Sequence, residues 1–174
     1  VAVLSLSISA WATEGKTIVL FDFEGEDAAK NLAKNAGKVI EPGCKSQRAA
    51  TQRNTGAYSR VRLQPGIEMQ EGLTLSFDSK IEQHAGKVAY LGVQIYTADN
   101  QKVQILTFKS PPTDWKTYEI EISKMRVGSG SKIQELIQPG EKIGNITIYS
   151  RADNKVAAET DHTLTVDNVR LYTK

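Results

Sequence analysis

From residue 17 to the end, apolar and polar positions alternate along this chain with a period of two, the spacing of a strand with one dry face and one wet face. In "KTIVLFDFE", Val19, Phe21 and Phe23 share one side, and Asp22 and Glu24 the other. "AYSRVRLQPG" sets Val61 and Leu63 against Arg60 and Arg62 and stops at a Pro-Gly turn. "EGLTLSFDSK" sets Leu73, Leu75 and Phe77 against Thr74, Ser76, Asp78 and Lys80. "GKVAYLGVQIYTADN" divides into Ala89, Leu91, Val93 and Ile95 on one face and Val88, Tyr90, Gly92, Gln94 and Tyr96 on the other. It then turns at Asp99-Asn100 into "QKVQILTFKS", whose apolar residues are less one-sided. "WKTYEIEIS" opposes Tyr118, Ile120 and Ile122 to Thr117, Glu119 and Glu121, and "IGNITIYSRA" opposes Ile146 and Ile148 to Asn145, Thr147, Tyr149 and Arg151. The last strand, "TVDNVRLY", carries Val166, Val169 and Leu171 but is interrupted by Asp167 and Asn168. These are poor strand formers that must face water or be held by something.

Helical signals are weaker. "EDAAKNLAKNAG" predicts two or three turns ending at Gly37, and "SKIQELIQ" a short helix starting near a Ser cap before Pro139-Gly140. Neither could cover a sheet, so the expected fold class is all-β: a sandwich of two antiparallel sheets with one or two short helices. The opening run "VAVLSLSISA" has no charge and leads into the small-x-small pattern Ala10-Trp11-Ala12. Residues 1–12 are therefore expected to be the remnant of a secretory signal peptide, and residues 13–174 a single domain, secreted or periplasmic. A first strand or helix is the alternative for that run. No other apolar stretch is long enough for a membrane span.

Charge changes the picture little. The chain has 22 Lys and Arg against 20 Asp and Glu, a net charge of +2 with no basic block, so no nucleic-acid partner is expected. Cys44 is the one cysteine; it cannot close an intramolecular disulfide and reads as a small buried hydrophobe. His84 and His162 lack metal-ligand spacing and are expected at the surface. No nucleophile-elbow, zinc-protease, phosphate-loop or dinucleotide motif occurs. Glu119 and Glu121 share a strand face, but acids two apart are ordinary in an amphipathic strand.

The strand ending "FDFE", the later "DWKTYEIEISKM", "IGNITIYS" and the terminal "TVDNVRLY" come in an order that resembles the jelly-roll carbohydrate-binding modules of the galactose-binding-like superfamily. That superfamily also holds the complex-I intermediate-associated domains. The resemblance spans nearly all of residues 13–174. It implies a jelly roll whose first and last strands are neighbours, with an acidic residue from each binding a structural calcium beside backbone carbonyls. Asp167, Glu24 and Asp22 would then be the metal ligands, with carbonyls from the loop around Glu41 to Ser46. Calcium takes six to eight oxygens and would offset the cost of Asp167 in a strand. A solvated or turn-bonded Asp is the alternative, and Asn168 stands where such modules often carry a second acid. The resemblance also makes Trp115 a structural residue at the sandwich edge.

A jelly roll offers the outward residues of one sheet to a ligand. Sugars need flat apolar groups for the C–H faces of the ring and planar polar groups for the hydroxyls. The wet faces supply Tyr58, Arg60, Arg62, Asp78, Tyr90, Gln94, Tyr96, Tyr149 and Arg151 as candidate ligand-binding residues, with Gly92 leaving a hollow for a ring. Alternatively, the tyrosines cover their neighbours and the two arginines of "SRVRL" pair with Asp78 across strands. The expected function is a non-catalytic module that binds a plant-type or algal-type polysaccharide or oligosaccharide, with structural calcium, beside a glycan-degrading enzyme. The runner-up is a jelly-roll polysaccharide lyase or glycoside hydrolase, with Tyr90, Arg60 and Gln94 acting on a uronate. A domain serving only adhesion or assembly is a third reading.

Overall fold

The computed structural model describes residues 16–21, 23, 24, 32, 38–40, 43, 44, 46 and 48–174. The signal-peptide expectation, Asp22 and all of the candidate helix at 26–37 except Leu32 lie outside the described residues. The strands are β1 (Lys16–Phe21), β2 (Lys38–Ile40), β3 (Ala49–Thr55), β4 (Tyr58–Leu63), β5 (Ile67–Glu68), β6 (Leu73–Ala85), β7 (Val88–Thr97), β8 (Val103–Phe108), β9 (Lys116–Glu121), β10 (Arg126–Val127), β11 (Lys142–Ala152) and β12 (Asp161–Thr173). They form two six-stranded antiparallel sheets. The first runs β2-β3-β12-β6-β9 with β1 also on β12; the second runs β10-β8-β7-β11-β4 with β5 also on β11. Among the described residues no helix is long and apolar enough to cross a membrane.

The period-two pattern decides which side of each strand is dry. Val61, Leu63, Leu91, Val93, Ile95, Ile146 and Ile148 from the second sheet meet Leu73, Leu75, Phe77, Leu164, Val166, Val169 and Leu171 from the first, and all are buried in one cluster. Burial of each such side chain contributes about 1.5–3 kcal/mol, so this interior holds the sheets together without a disulfide. Tyr118 closes one end, its ring 5.2 Å from Phe77 and 4.6 Å from Phe108.

The interruption in β12 has a geometric cause. Up to Val166 the strand is flanked by β3, with Val166 opposite Ala50; from Val169 on it is flanked by β1, with Val169 opposite Phe21. Asp167 and Asn168 fill the junction. On the other side the register jumps from Asp167 opposite Asp78 to Arg170 opposite Ser76, one residue more on β12 than on β6. This is a β-bulge, and Asn168 takes the left-handed conformation it needs (φ 49°), which asparagine tolerates better than most residues. The bulge keeps Leu164, Val166, Val169 and Leu171 on one face although their spacing is 2, 3, 2. The first and last strands are thus neighbours, as the resemblance implied.

Three expectations need correction. The segment 131–138 is not a helix, because its backbone N–H groups go to tertiary partners: Lys132 and Ile133 donate to the Gln101 carbonyl, and Ile137 to Gln104 Oε1 at 2.9 Å. Lys102 fixes this loop from below, its Nζ reaching Glu141 at 2.9 Å and the Leu136 carbonyl at 3.4 Å. The helical content among the described residues is instead two one-turn 3₁₀ segments, Ile122–Lys124 and Ala157–Glu159. Strand β3, "AATQRNT", was not foreseen because its inward positions are small or polar: Ala49, Ala50 and Thr51 are buried.

His162 is the third. It has no exposure and points into the sandwich from β12, on the same parity as Leu164. Burial holds its imidazole below the ordinary value of 6.5, so the folded protein keeps it neutral. As pH falls below that value, the unfolded chain binds a proton that the folded chain refuses. Stability should therefore drop on acidification by up to about 1.4 kcal/mol per pH unit until the folded pKa is reached. Thermal midpoints from pH 7.5 to 5.5 test this: the wild type should slope downward and His162→Leu should lose most of the slope. A flat wild-type profile would contradict it.

Candidate functional site

The outward face of the second sheet carries a groove of about 370 Å³ lined by Tyr58, Arg60, Arg62, Tyr90, Gln94, Tyr96, Ile105, Ser129, Thr147, Tyr149 and Arg151. Strand register arranges these residues in rows. Tyr58 lies opposite Arg151, which lies opposite Tyr90; Arg60 opposite Tyr149, opposite Gly92; Arg62 opposite Thr147, opposite Gln94. Asn145 opposite Tyr96 continues the pattern. Each outward parity position of β4, β11 and β7 therefore meets its counterpart on the next strand, and cross-strand contact follows from the pleat.

Three tyrosines make the floor and one wall. The Tyr149 ring is 6.1 Å from Tyr58, tilted by 52°, and 6.1 Å from Tyr90, nearly edge-on at 78°. Arg151 ties them together: its guanidinium carbon sits 5.3 Å from the Tyr58 ring centroid, Nη1 donates to Tyr90 Oη at 3.0 Å, and Nη2 donates to Asn154 Oδ1 at 2.9 Å. Arg60 also lies over the Tyr58 ring, 4.8 Å from its centroid. Tyr96 Oη donates to Gln94 Oε1 at 3.0 Å, fixing the amide orientation. The hollow expected at Gly92 is filled from within the protein. A Cβ there would meet Tyr149 Cζ, with Oη at 2.6 Å and Cε1 at 2.7 Å, so glycine is what lets the phenol lie flat on β7. Burial first, and the neighbouring Tyr90 second, push the Tyr149 phenol far above the ordinary tyrosine value, so it stays protonated.

Of the nine candidate ligand residues, Asp78 is not in this groove. It belongs to β6 of the first sheet, is nearly buried, and accepts from Thr117 Oγ1 at 2.5 Å and from Asn168 Nδ2 at 2.8 Å. Among the described residues Arg60 and Arg62 consequently have no acidic cross-strand partner in it. Sequence reading missed Ile105, Ser129 and Thr147 as lining residues. Ile105 was hidden because its neighbour Gln104, though polar, faces the core, where Nε2 donates to the Ile122 carbonyl at 2.8 Å. That inversion is why β8 showed no clean dry face.

The second cluster surrounds Asp167, which has no exposure. Its Oδ2 accepts from the N–H of Cys44 at 2.7 Å and from Ser46 Oγ at 2.5 Å, and its Oδ1 accepts from the N–H of Asn168 at 2.7 Å. Cys44 is half-buried and is in no disulfide among the described residues. Glu24 reaches the same segment, its Oε1 accepting from the N–H of Arg48 at 2.8 Å, and follows Phe23, whose φ of 60° is costly for a side chain of that size. A Cβ on Gly43 would lie against Ser46 Oγ, 2.5 Å from the Arg48 carbonyl oxygen and 2.7 Å from Asp167 Oδ2. These three oxygens crowd the Gly43 Cα, so position 43 admits no side chain. Ser46 has one hydroxyl proton for two acceptors, since Oγ is 2.9 Å from the Arg48 carbonyl as well as close to Asp167. Lone pairs outnumber protons there, and the donor set fits a hard cation. Among the described residues no group of three His, Cys, Asp or Glu side chains converges, so hydroxyl and carbonyl oxygens would complete any shell.

No family model matches the sequence, and no curated protein is similar to it in sequence. Solved structures are similar in shape. The family 11 carbohydrate-binding module from Clostridium thermocellum, in complex with a β-1,3-1,4-mixed-linked tetrasaccharide, has a TM-score of 0.63 at 19% identity over 93% of this chain and 98% of its own. The fold is that of the jelly-roll carbohydrate-binding modules. The CBM22-2 xylan-binding domain from Paenibacillus barcinonensis Xyn10C shares this module fold with a TM-score of 0.53 at 17% identity, over 90% of this chain and 99% of its own. An exo-β-agarase matches with a TM-score of 0.58 at 13% identity over 91% of this chain, which spans 26% of the agarase.

Within this module fold the acid pair of β9 lies far from glycosidase chemistry. Glu119 and Glu121 face outward from the first sheet, and Lys174 and Lys124 respectively hold their carboxyls below the usual range. A glycosidase needs one carboxyl raised to act as an acid. Among the described residues the groove has no carboxylate.

Proposed function

We propose that this protein is a secreted, non-catalytic carbohydrate-binding module whose groove on the second sheet holds a polysaccharide, and whose Asp167 cluster holds a structural calcium. The observation that carries the reading is the tyrosine-lined groove. Tyr58 and Tyr90 offer C–H-binding surface above the buried Tyr149 ring, and Arg60, Arg62 and Gln94 stand beside them with planar polar groups. The same fold in a module complexed with a tetrasaccharide supports a sugar as the ligand. Calcium would be held by Asp167, Ser46 Oγ and the Arg48 carbonyl, with Glu24 as the facing acid, and would fix the meeting point of β1, β3 and β12. The opening run 1–12 supports export, and the agarase match supports work beside a glycan-degrading domain on plant or algal polymers.

Affinity electrophoresis through gels carrying single polysaccharides tests the reading. At least one plant or algal polymer should retard the wild type, and Tyr90→Ala should lose about tenfold or more of that retention with its thermal midpoint nearly intact. Equal retention of wild type and variant on every polymer that retards the protein would reject the groove. Release of unsaturated or reducing-end products during the same incubations would favour a lyase or hydrolase instead.

A further inference from the structure

We propose that the groove selects an acidic glycan, one whose sugar ring carries a carboxylate or sulfate ester, and that Arg62 with Arg60 receives that group. The inference rests on the carbohydrate-binding reading and specifies its substrate class. The chain as a whole is nearly balanced at +2, yet three of its arginines line the groove and no carboxylate does so among the described residues. A cleft lined by one sign of charge concentrates ligands of the other sign.

The hydrogen-bond inventory points the same way. A guanidinium carries five N–H donors and no acceptor, whereas a neutral sugar hydroxyl must donate as well as accept. The groove's acceptors are neutral hydroxyls and one amide, and two of them are already engaged: Gln94 Oε1 takes the Tyr96 hydroxyl and Tyr90 Oη takes Arg151. A groove whose charged groups are all donors matches a group that only accepts, and carboxylate and sulfate are such groups. The planar guanidinium fork also fits two oxygens of either at once.

The arginines divide this work unequally. Arg151 is held by Tyr90 and Asn154, so its role is to position the tyrosines. Arg60 rests on Tyr58. Arg62 is half-buried, and no described residue forms a hydrogen bond or ion pair with its guanidinium. Beneath it, Thr147 Oγ1 is buried without a partner. Arg60 and Arg62 stand two residues apart on β4, the outer strand of the second sheet, so both reach the same rim.

The test compares polymers that differ only in charge: polygalacturonate against its fully methyl-esterified form, and a sulfated galactan against the same galactan desulfated. Polyglutamate serves as a polyanion without sugar. The wild type should bind at least one acidic glycan tenfold or more tightly than its neutral partner, less so at high salt. Arg62→Gln should erase that preference, while Lys124→Gln, an equal charge loss on the other sheet's side, should keep it. Retention on neutral glycans with no response to Arg62→Gln would overturn this inference and leave the carbohydrate-binding reading standing. Binding to polyglutamate as tight as to the glycans would also overturn it. No retention on any glycan would overturn both.

Discussion

Gly92→Ala is expected to cost the protein about tenfold or more of its glycan affinity while leaving the fold in place. The added methyl would occupy the space of the Tyr149 phenol, and the ring would have to swing off β7. Only the free end of a side chain is displaced, so no backbone needs to move. Alanine also fits a strand better than glycine by about 0.5–1 kcal/mol, which offsets part of the lost packing. Binding suffers because the buried Tyr149 ring packs against both Tyr58 and Tyr90; without that support the two exposed rings lose their placement. Thermal midpoints and retention on the same preparation separate the two effects. Unchanged retention with an unchanged midpoint would show that the ring does not hold the ligand surface in place.

The other large effect concerns stability. With calcium at a thousandfold excess over its dissociation constant, binding to the folded state alone adds about 4 kcal/mol, which for a domain of this size is a rise of roughly 8–16 °C in the thermal midpoint. A chelator should remove that increment in the wild type. Asp167→Asn should melt at the chelated wild-type temperature or below, and should not respond to calcium. A wild type indifferent to both calcium and chelator, beside a destabilised Asp167→Asn, would mean that the N–H groups of Cys44 and Asn168 and the Ser46 hydroxyl satisfy Asp167 alone.

The legible part of this molecule was the part governed by parity. Alternation along β4, β7 and β11 fixed which residues face outward, and register then brought eight of the nine candidate ligand residues to one groove. Asp78 shows the limit of that logic. Parity gives the side of a sheet but not which sheet, and β6 and β4 went to opposite layers. The hollow at Gly92 and the surface placement of His162 failed for a related reason: what fills a space is set by the neighbouring strand, here Tyr149 on β11 and the sandwich interior facing β12. At 131–138 the helical pattern was real, but tertiary acceptors on Gln101 and Gln104 outcompeted it. Asp167 could be singled out because acids are rare inside strands. Its place at a bulge between β1 and β3 depends on strand pairing that alternation does not encode.

Amide chemical shifts of the labelled protein, titrated with an oligosaccharide from a polymer that retains it, locate the ligand directly. Perturbations should concentrate on Tyr58–Arg62, Tyr90–Tyr96 and Thr147–Arg151, the three strands beneath the groove. Shifts gathered instead around Lys80, Glu119 and Glu121 on the outer face of the first sheet, with the groove amides silent, would contradict the assignment.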